Sequence, residues 1–203
     1  LIGESLVDDP EERHFTILMR AAVDAGLLLF VTEGVVEEVE RHLNLAVAYG
    51  HNRTSTWTGR VPFLYSAFVL SGRPENEFLD WQRDICGREQ PLQDVSDYLA
   101  AEFSIETKNL LEYSDAASIE LRGVVQELWN ETHERRRQRG DYGADQGTRS
   151  RLVAHDVENS VGVIEYRRTV GASPMGYLAW WLTFDGTAMK MKDHLRERLG
   201  PHA

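Results

Sequence analysis

The sequence predicts an α/β fold with a mainly parallel sheet. Two apolar runs of strand length, 27–32 (LLLFVT) and 177–184 (YLAWWLTF), carry this prediction. Short, continuous apolar runs are typical of strands that are buried on both faces. Helical patterns lie before and after these runs, and alternation of helix with strand is the order that builds a parallel sheet. With 203 residues, the chain is long enough for one such domain with a sizeable core.

The first helix is predicted to begin at residues 8–12 (DDPEE), where an Asp can cap, a Pro fits the first turn and acids face the positive helix end. Apolar residues then recur at helical spacing over 15–23, and Gly26 is expected to end the helix. The strand 27–32 follows, and a helix over 34–49 comes next because its valines and Leu43 share one side.

The rest of the chain is predicted to be mostly helical up to the second apolar run. The predicted elements are short helices within 61–111 separated by prolines, a strand or extended linker over 105–113, long helices over 116–139 and 151–168, the strand 177–184, and a final helix from Thr187.

Composition limits the kinds of function. The net charge of -11 argues against nucleic-acid binding through diffuse positive charge. It leaves room for a nuclease, which clusters carboxylates around metal ions and needs only a local basic rim. Cys86 stands alone, so a disulfide framework is excluded and a reducing, cytoplasmic setting is expected. No apolar run reaches membrane-spanning length, and zinc-protease, nucleophile-elbow and phosphate-loop motifs are absent from the sequence.

Two acids near the C-terminus are the strongest site candidates. Asp156 falls on the flank of the apolar arc of its predicted helix, where an unpaired carboxylate is costly and needs a cation or strong donors. Asp185 follows directly on the second predicted strand, and ligands bind at the carboxyl ends of parallel strands. The alternatives are structural. Asp156 would bond backbone groups at the sheet edge, and Asp185 would cap the next turn or helix.

Glu38 is the third candidate. It lies one turn into the helix after the strand 27–32 and borders the apolar face. Glu40 also borders this face, while Glu37 faces away, so the periodicity does not choose between Glu38 and Glu40. A solvated charged face is the alternative interpretation of these acids.

Together these segments resemble the PIN-like nuclease family. The matching segments are 35–39 (VVEEV), which places the family's glutamate at Glu38, 152–157 (LVAHDV), which contains Asp156, and 180–185 (WWLTFD), which ends in Asp185. The resemblance covers residues 1–50 and 148–195. It implies a three-layer α/β/α fold with a central, mainly parallel sheet, formed by a single domain over 1–203 with a large helical insertion at about 60–145.

The resemblance also implies a metal-dependent endoribonuclease. In it, Glu38, Asp156 and Asp185 would bind Mg²⁺ or Mn²⁺, hard cations that prefer oxygen ligands. The metal would activate water and stabilise charge on the phosphate. Thr183 would supply a hydroxyl beside the metal ligands, or would be present only as a strand-forming residue.

The family's first aspartate, which ends a strand before the first helix, has no counterpart at that position. The chain opens with LIGE, which looks like the tail of such a strand. We therefore expect the strand and its aspartate to lie upstream of Leu1. The alternative is that Glu4, Asp8 or Asp9 takes its place, although Asp8 and Asp9 already have a predicted capping role.

Basic residues supply a predicted RNA contact. They are Arg135, Arg136, Arg137, Arg139, Arg149 and Arg151. Such a cluster attracts phosphate, and the alternative is a solvated helix end whose cations offset the helix dipole. The predicted partners are an RNA substrate and either a protein or a second copy of the chain, with no membrane. The alternative function is a catalytically inactive PIN-like module that binds RNA or protein.

Overall fold

The computed structural model describes residues 1–52, 60–139, 146–173 and 176–200, and over these residues the protein is mainly helical. The chain divides into two compact units, Leu1–Lys108 and Asn109–Ala203. No described helix is both long enough and apolar enough to cross a membrane.

Within its described residues, the first unit packs helices against a short two-stranded sheet. The helices are α1 (His14–Asp24), α2 (Glu33–Asn52), α3 (Phe63–Leu70), α4 (Phe78–Cys86) and α5 (Pro91–Phe103), and the strands are β1 (Leu29–Val31) and β2 (Ile105–Thr107). β1 and β2 pair in parallel, with Leu29 opposite Ile105. The core is rich in aromatic rings, and the Phe68 and Phe78 centroids lie 5.2 Å apart in an edge-to-face arrangement.

The described part of the second unit consists of helices and a minimal hairpin. The helices are α6 (Leu111–Ala116), α7 (Ile119–Gln138), α8 (Gln146–Val170) and α9 (Gly186–Leu199), and the strands are β3 (Ala172–Ser173) and β4 (Gly176–Tyr177), which pair antiparallel.

Helix α7 forms the centre of the second unit. Its buried side chains recur at helical spacing and are Leu121, Val125, Leu128, Trp129, Thr132 and His133. Ser118 caps the helix by accepting a hydrogen bond from the Leu121 amide at 3.1 Å. The buried face of α7 packs against Val161 of α8 and Leu195 of α9 in one apolar cluster. An amphipathic pattern is thus converted directly into a helix-on-helix core.

The predicted helices are confirmed, with shifted ends. The helix expected to begin within 8–12 begins at His14, after a 3₁₀ turn over Pro10–Glu12 that Asp9 caps by accepting from the Glu11 amide at 2.9 Å. Gly26 follows α1 with a φ of +81°, a value that glycine adopts readily. The single-domain organisation over 1–203 stays a prediction.

The predicted three-layer α/β/α fold with a helical insertion is wrong. The described residues contain one two-stranded parallel sheet and one separate two-stranded antiparallel sheet, and neither is a central sheet. The first run does form a strand with a parallel partner, as predicted. However, β1 is only half-buried, and Leu28 just before it is 92% exposed. The prediction that this strand is buried on both faces is therefore also wrong.

The second predicted strand, 177–184, is the main error. Beyond Gly176–Tyr177, it has no strand partner within the described residues. Four of its large apolar side chains are exposed, namely Leu178, Trp180, Leu182 and Phe184. The interior that a central strand would fill is occupied by side chains such as Trp129 of α7 and Val161 of α8. The apolar composition of the run therefore reflects neither sheet pairing nor full burial, since within it Ala179 is buried and Trp181 packs against the apolar cluster.

Two helical glycines give opposite stability predictions. An Ala side chain at Gly162 of α8 would place its Cβ 2.7 Å from Leu110 Cβ and 3.1 Å from the Leu110 carbonyl oxygen. Leu110 is buried and cannot move aside. We expect Gly162→Ala to lower the free energy of unfolding by about 1–2 kcal/mol through overpacking, although Ala is the better helix former.

Gly123→Ala on α7 is the matched control, because no heavy atom lies within 4 Å of its added Cβ. This variant is expected to raise the free energy of unfolding by up to about 1 kcal/mol. Urea unfolding followed by circular dichroism measures both. Equal stability of the two variants would contradict the close approach of α8 to Leu110.

Candidate functional site

Both C-terminal acids contact basic side chains of α7. The His133 Nε2 of α7 lies 2.7 Å from the Asp156 Oδ2 of α8. One turn further along α7, the Arg136 guanidinium donates a hydrogen bond to the carboxylate of Asp185. The two acids predicted from the sequence are therefore placed along the same helix, and each is paired with a base.

The Asp156 pairing belongs to a buried polar ladder between α7 and α8. The His133 side chain is only 4% exposed. The Trp129 Nε1 donates to the Ser160 hydroxyl at 2.9 Å, and that hydroxyl donates to the Asp156 carbonyl oxygen at 2.5 Å. With Asp156 ionised, its carboxylate can only accept, so this hydrogen bond requires a proton on the His133 Nε2. The donor that the sequence required for Asp156 is thus a buried histidine.

Asp185 is the N-cap of α9, which is the role that the sequence offered as the alternative to metal binding. Its Oδ1 accepts from the Thr187 amide at 2.8 Å. Burial opposes ionisation of Asp185, but the hydrogen bonds from Arg136 and from the Thr187 amide outweigh it and hold the pKa of this carboxyl below its ordinary value. The Asp185 amide in turn donates to the Thr183 hydroxyl at 3.0 Å, so Thr183 contacts the backbone of the cap.

The acids of the first unit are engaged in other ways. Glu38 is exposed on α2, with Arg41 at 3.5 Å and His42 at 3.7 Å from its Oε1. Glu4, one alternative for the family's first aspartate, accepts from the Phe15 and Thr16 amides, both at 2.8 Å. Burial raises the pKa of the Glu4 carboxyl, yet these hydrogen bonds hold it below its ordinary value. Glu4 therefore caps the start of α1.

The predicted Mg²⁺ or Mn²⁺ ion does not fit these residues. Among the described residues, no three His, Cys, Asp or Glu side chains come together where they could hold a metal ion. The Asp156 carboxylate contacts His133, and the Asp185 carboxylate contacts Arg136 and the Thr187 amide. The His133, Arg136 and Thr187 donors thus take up carboxylate oxygens that a cation would need.

Of the six predicted RNA-binding arginines, three line a groove and three do not. Arg137 and Arg149 each pair with Glu134 at 2.6 Å. The hydrogen bonds that Arg137 and Gln138 donate to Glu134 lower the pKa of this carboxyl to about 2. Arg151 is exposed on α8. The other three, Arg135, Arg136 and Arg139, line one side of a groove.

This groove, which we call the arginine groove, has a volume of about 230 Å³. Its lining residues are Thr132, Arg135, Arg136, Arg139, Asp185, Gly186 and Thr187. The Thr132 and Thr187 hydroxyl oxygens lie 3.2 Å apart, and Arg135 donates to Thr132 at 3.2 Å. Three arginines against one aspartate leave the lining with a net charge of +2. The groove therefore offers guanidinium and hydroxyl donors to an anion.

The charge of the chain is distributed unevenly between the units. Residues 1–108 contain nine Lys and Arg against nineteen Asp and Glu, a net charge of -10. Residues 109–203 contain thirteen against fourteen, a net charge of -1. The acidity that argued against nucleic-acid binding therefore belongs almost entirely to the first unit.

Sequence reasoning missed three contributors to this region. His133 shares the apolar stripe of α7 with Trp129, and that spacing was the available signal for a buried histidine. Thr132 and Thr187 carried no signal, because their approach depends on how α7 and α9 pack. The Arg136–Asp185 pair was equally hidden, since its members are 49 residues apart in sequence.

Comparison of the chain with known protein families, characterised proteins and solved structures finds no match. The resemblance to PIN-like nucleases thus rests on the sequence motifs alone.

The depressed pKa of Asp185 predicts a pH-dependent contribution to stability. Asn also caps helices well, so Asp185→Asn keeps the cap of α9 and removes the charge that Arg136 contacts. At pH 7 we expect this variant to lose about 1–2 kcal/mol of unfolding free energy. Because the folded-state pKa is lowered, the wild type keeps the contribution above the unfolded pKa of about 3.9 and loses it as pH falls through the folded value.

Urea unfolding of both proteins from pH 7 to pH 3 measures this. The difference between the two proteins is expected to be constant near neutral pH and to shrink as the pH falls below about 4. A difference that stays constant with pH, or no difference at pH 7, would show that the Arg136 contact does not stabilise the ionised Asp185.

Proposed function

We propose that the second unit binds the phosphate backbone of RNA in the arginine groove, without cleaving it. The observation that carries this proposal is the convergence of Arg135, Arg136 and Arg139 with two threonine hydroxyls on one groove. Guanidinium groups and hydroxyls are the donors that proteins direct at phosphate oxygens. Arg135 and Arg139 are exposed, so a ligand reaches them without unfolding the helix.

The distribution of charge supports the same proposal. Phosphate contacts supply most of the sequence-independent affinity of a protein for nucleic acid. They require a local excess of cationic side chains, and the protein as a whole need not be basic. The second unit is nearly neutral, and four of its eleven arginines lie close together in sequence at the C-terminal end of α7, namely Arg135, Arg136, Arg137 and Arg139. A local basic site on a neutral unit meets this requirement.

The contacts of the two aspartates favour RNA binding without cleavage over a nuclease function. Metal-dependent cleavage needs carboxylate oxygens that are available to a cation. Here Asp156 is engaged by His133, and Asp185 is engaged by Arg136 and by its role as a cap. The nuclease function stays a prediction that these contacts do not support.

Removing two exposed charges from the groove tests the proposal. We expect Arg135→Gln with Arg139→Gln to weaken binding of a fluorescein-labelled single-stranded RNA about tenfold at low salt, through loss of two phosphate contacts. Fluorescence anisotropy measures the dissociation constant, and a salt titration measures its slope. The slope of log K against log salt is expected to fall by roughly 1.4, at about 0.7 for each contact.

The control is Arg168→Gln with Arg198→Gln, which removes the same charge from exposed residues of α8 and α9 in the same unit. This pair is expected to leave the dissociation constant nearly unchanged. Equal weakening by both double variants would mean that RNA senses only the net charge, and intact binding in the groove variant would overturn the proposal.

A further inference from the structure

The segment from Tyr177 to Phe184, which we call the aromatic strip, is held to the second unit on one side only. Ala179 is buried, and Trp181 packs against the apolar core. The other apolar side chains of the segment are exposed, with Trp180 at 70% and Phe184 at 80%. The strip therefore presents large flat rings outward from an anchored backbone.

An arginine of α8 holds the N-terminal end of the strip in place. The Arg167 guanidinium lies 4.7 Å from the Tyr177 ring centroid and 5.9 Å from that of Trp180. Its Nε donates to the Ala179 carbonyl oxygen at 2.8 Å. The Tyr177 and Trp180 rings also contact each other edge to face, with centroids 6.2 Å apart. Because Arg167 holds both rings, Trp180 is in place before a ligand arrives.

We propose that the aromatic strip stacks the bases of a single-stranded nucleic acid whose phosphates lie in the arginine groove. This inference rests on the proposed function. The strip leads into the groove through the chain itself, since Phe184 is followed by Asp185, Gly186 and Thr187 of the groove lining. Aromatic stacking beside a basic groove is how single strands are bound without sequence preference.

The strip selects a single strand over a duplex. In a duplex, the faces of the bases are already stacked on one another, whereas an unpaired strand can place a base face on an exposed ring. A protein surface or a second copy of the chain is the competing occupant of an apolar strip. The adjacent guanidinium groups favour a ligand that carries regularly spaced negative charge along with its apolar faces.

Substitutions at Trp180 separate stacking from general apolar contact. Trp180→Phe is expected to bind single-stranded RNA within about twofold of the wild type, and Trp180→Leu to bind it at least about fivefold more weakly, because only a ring can stack on a base. Ile119→Ala is the control, since Ile119 is another exposed apolar residue of the same unit. Anisotropy with labelled single-stranded RNA, and with an abasic strand of equal length, reads out the dissociation constants.

The proposal expects the abasic strand to bind the wild type and Trp180→Leu equally. Unchanged RNA affinity in Trp180→Leu, with the groove variant still weakened, overturns stacking and leaves the proposed function standing. Absence of RNA binding by the wild type overturns both. If sedimentation shows a dimer that Trp180→Leu dissociates while RNA affinity is unchanged, the strip binds a second copy and stacking is wrong.

Discussion

The pairing of His133 with Asp156 is the contact on which the second unit depends. It lies between α7 and α8, the two long helices of that unit, where His133 is buried and its ring lies 6.2 Å from that of Trp129. A buried imidazole without a partner costs about 1–3 kcal/mol, and Asp156 removes that cost. Ser160 and Trp129 extend the polar contact along the same interface. A polar ladder of this kind fixes how the two helices align, because apolar packing alone is not directional.

That alignment determines what the C-terminal end of α7 can do. Once His133 is fixed against α8, Arg136 one turn later meets Asp185 at the start of α9. Arg135 and Arg139 then flank the groove beside Thr187. The acids that resembled metal ligands thus position the basic side chains of α7, and in the proposed function the arginines of this end bind phosphate. As metal ligands these carboxylates would bind a cation, whereas here they accept hydrogen bonds from His133 and Arg136. The partners of the carboxylates distinguish the two interpretations.

The sequence predicted the helices well because their pattern is local. Trp129 and Val125 recur at helical spacing. Asp156 could be assigned to the flank of an apolar arc, where its carboxylate requires a partner. The identity of that partner was not predictable, because His133 is 23 residues away and meets Asp156 only through helix packing. The run 177–184 failed for a related reason. An apolar strand needs another strand to pair with, and composition does not say whether one is available.

The resemblance to PIN-like nucleases failed in the fold it implied. Three short motifs placed Glu38, Asp156 and Asp185 in the expected order, but order along the chain does not bring carboxylates together in space. Among the described residues, these three acids do not form a group that could hold a metal ion. A motif of one acid in an apolar context is also produced by helix caps and by half-buried hydrogen-bonded pairs, which are the roles of Asp185 and Asp156.

The most direct test of this account is calorimetry of the wild type and Asp156→Asn in metal-free buffer and with added Mn²⁺. If Asp156 serves His133, the variant has a lower Tm than the wild type, and Mn²⁺ leaves the Tm of the wild type unchanged. If Asp156 is instead a metal ligand, Mn²⁺ raises the Tm of the wild type through binding to the folded state, and removal of a repelling charge raises the Tm of the metal-free variant. That second pattern would contradict the pairing on which the account rests.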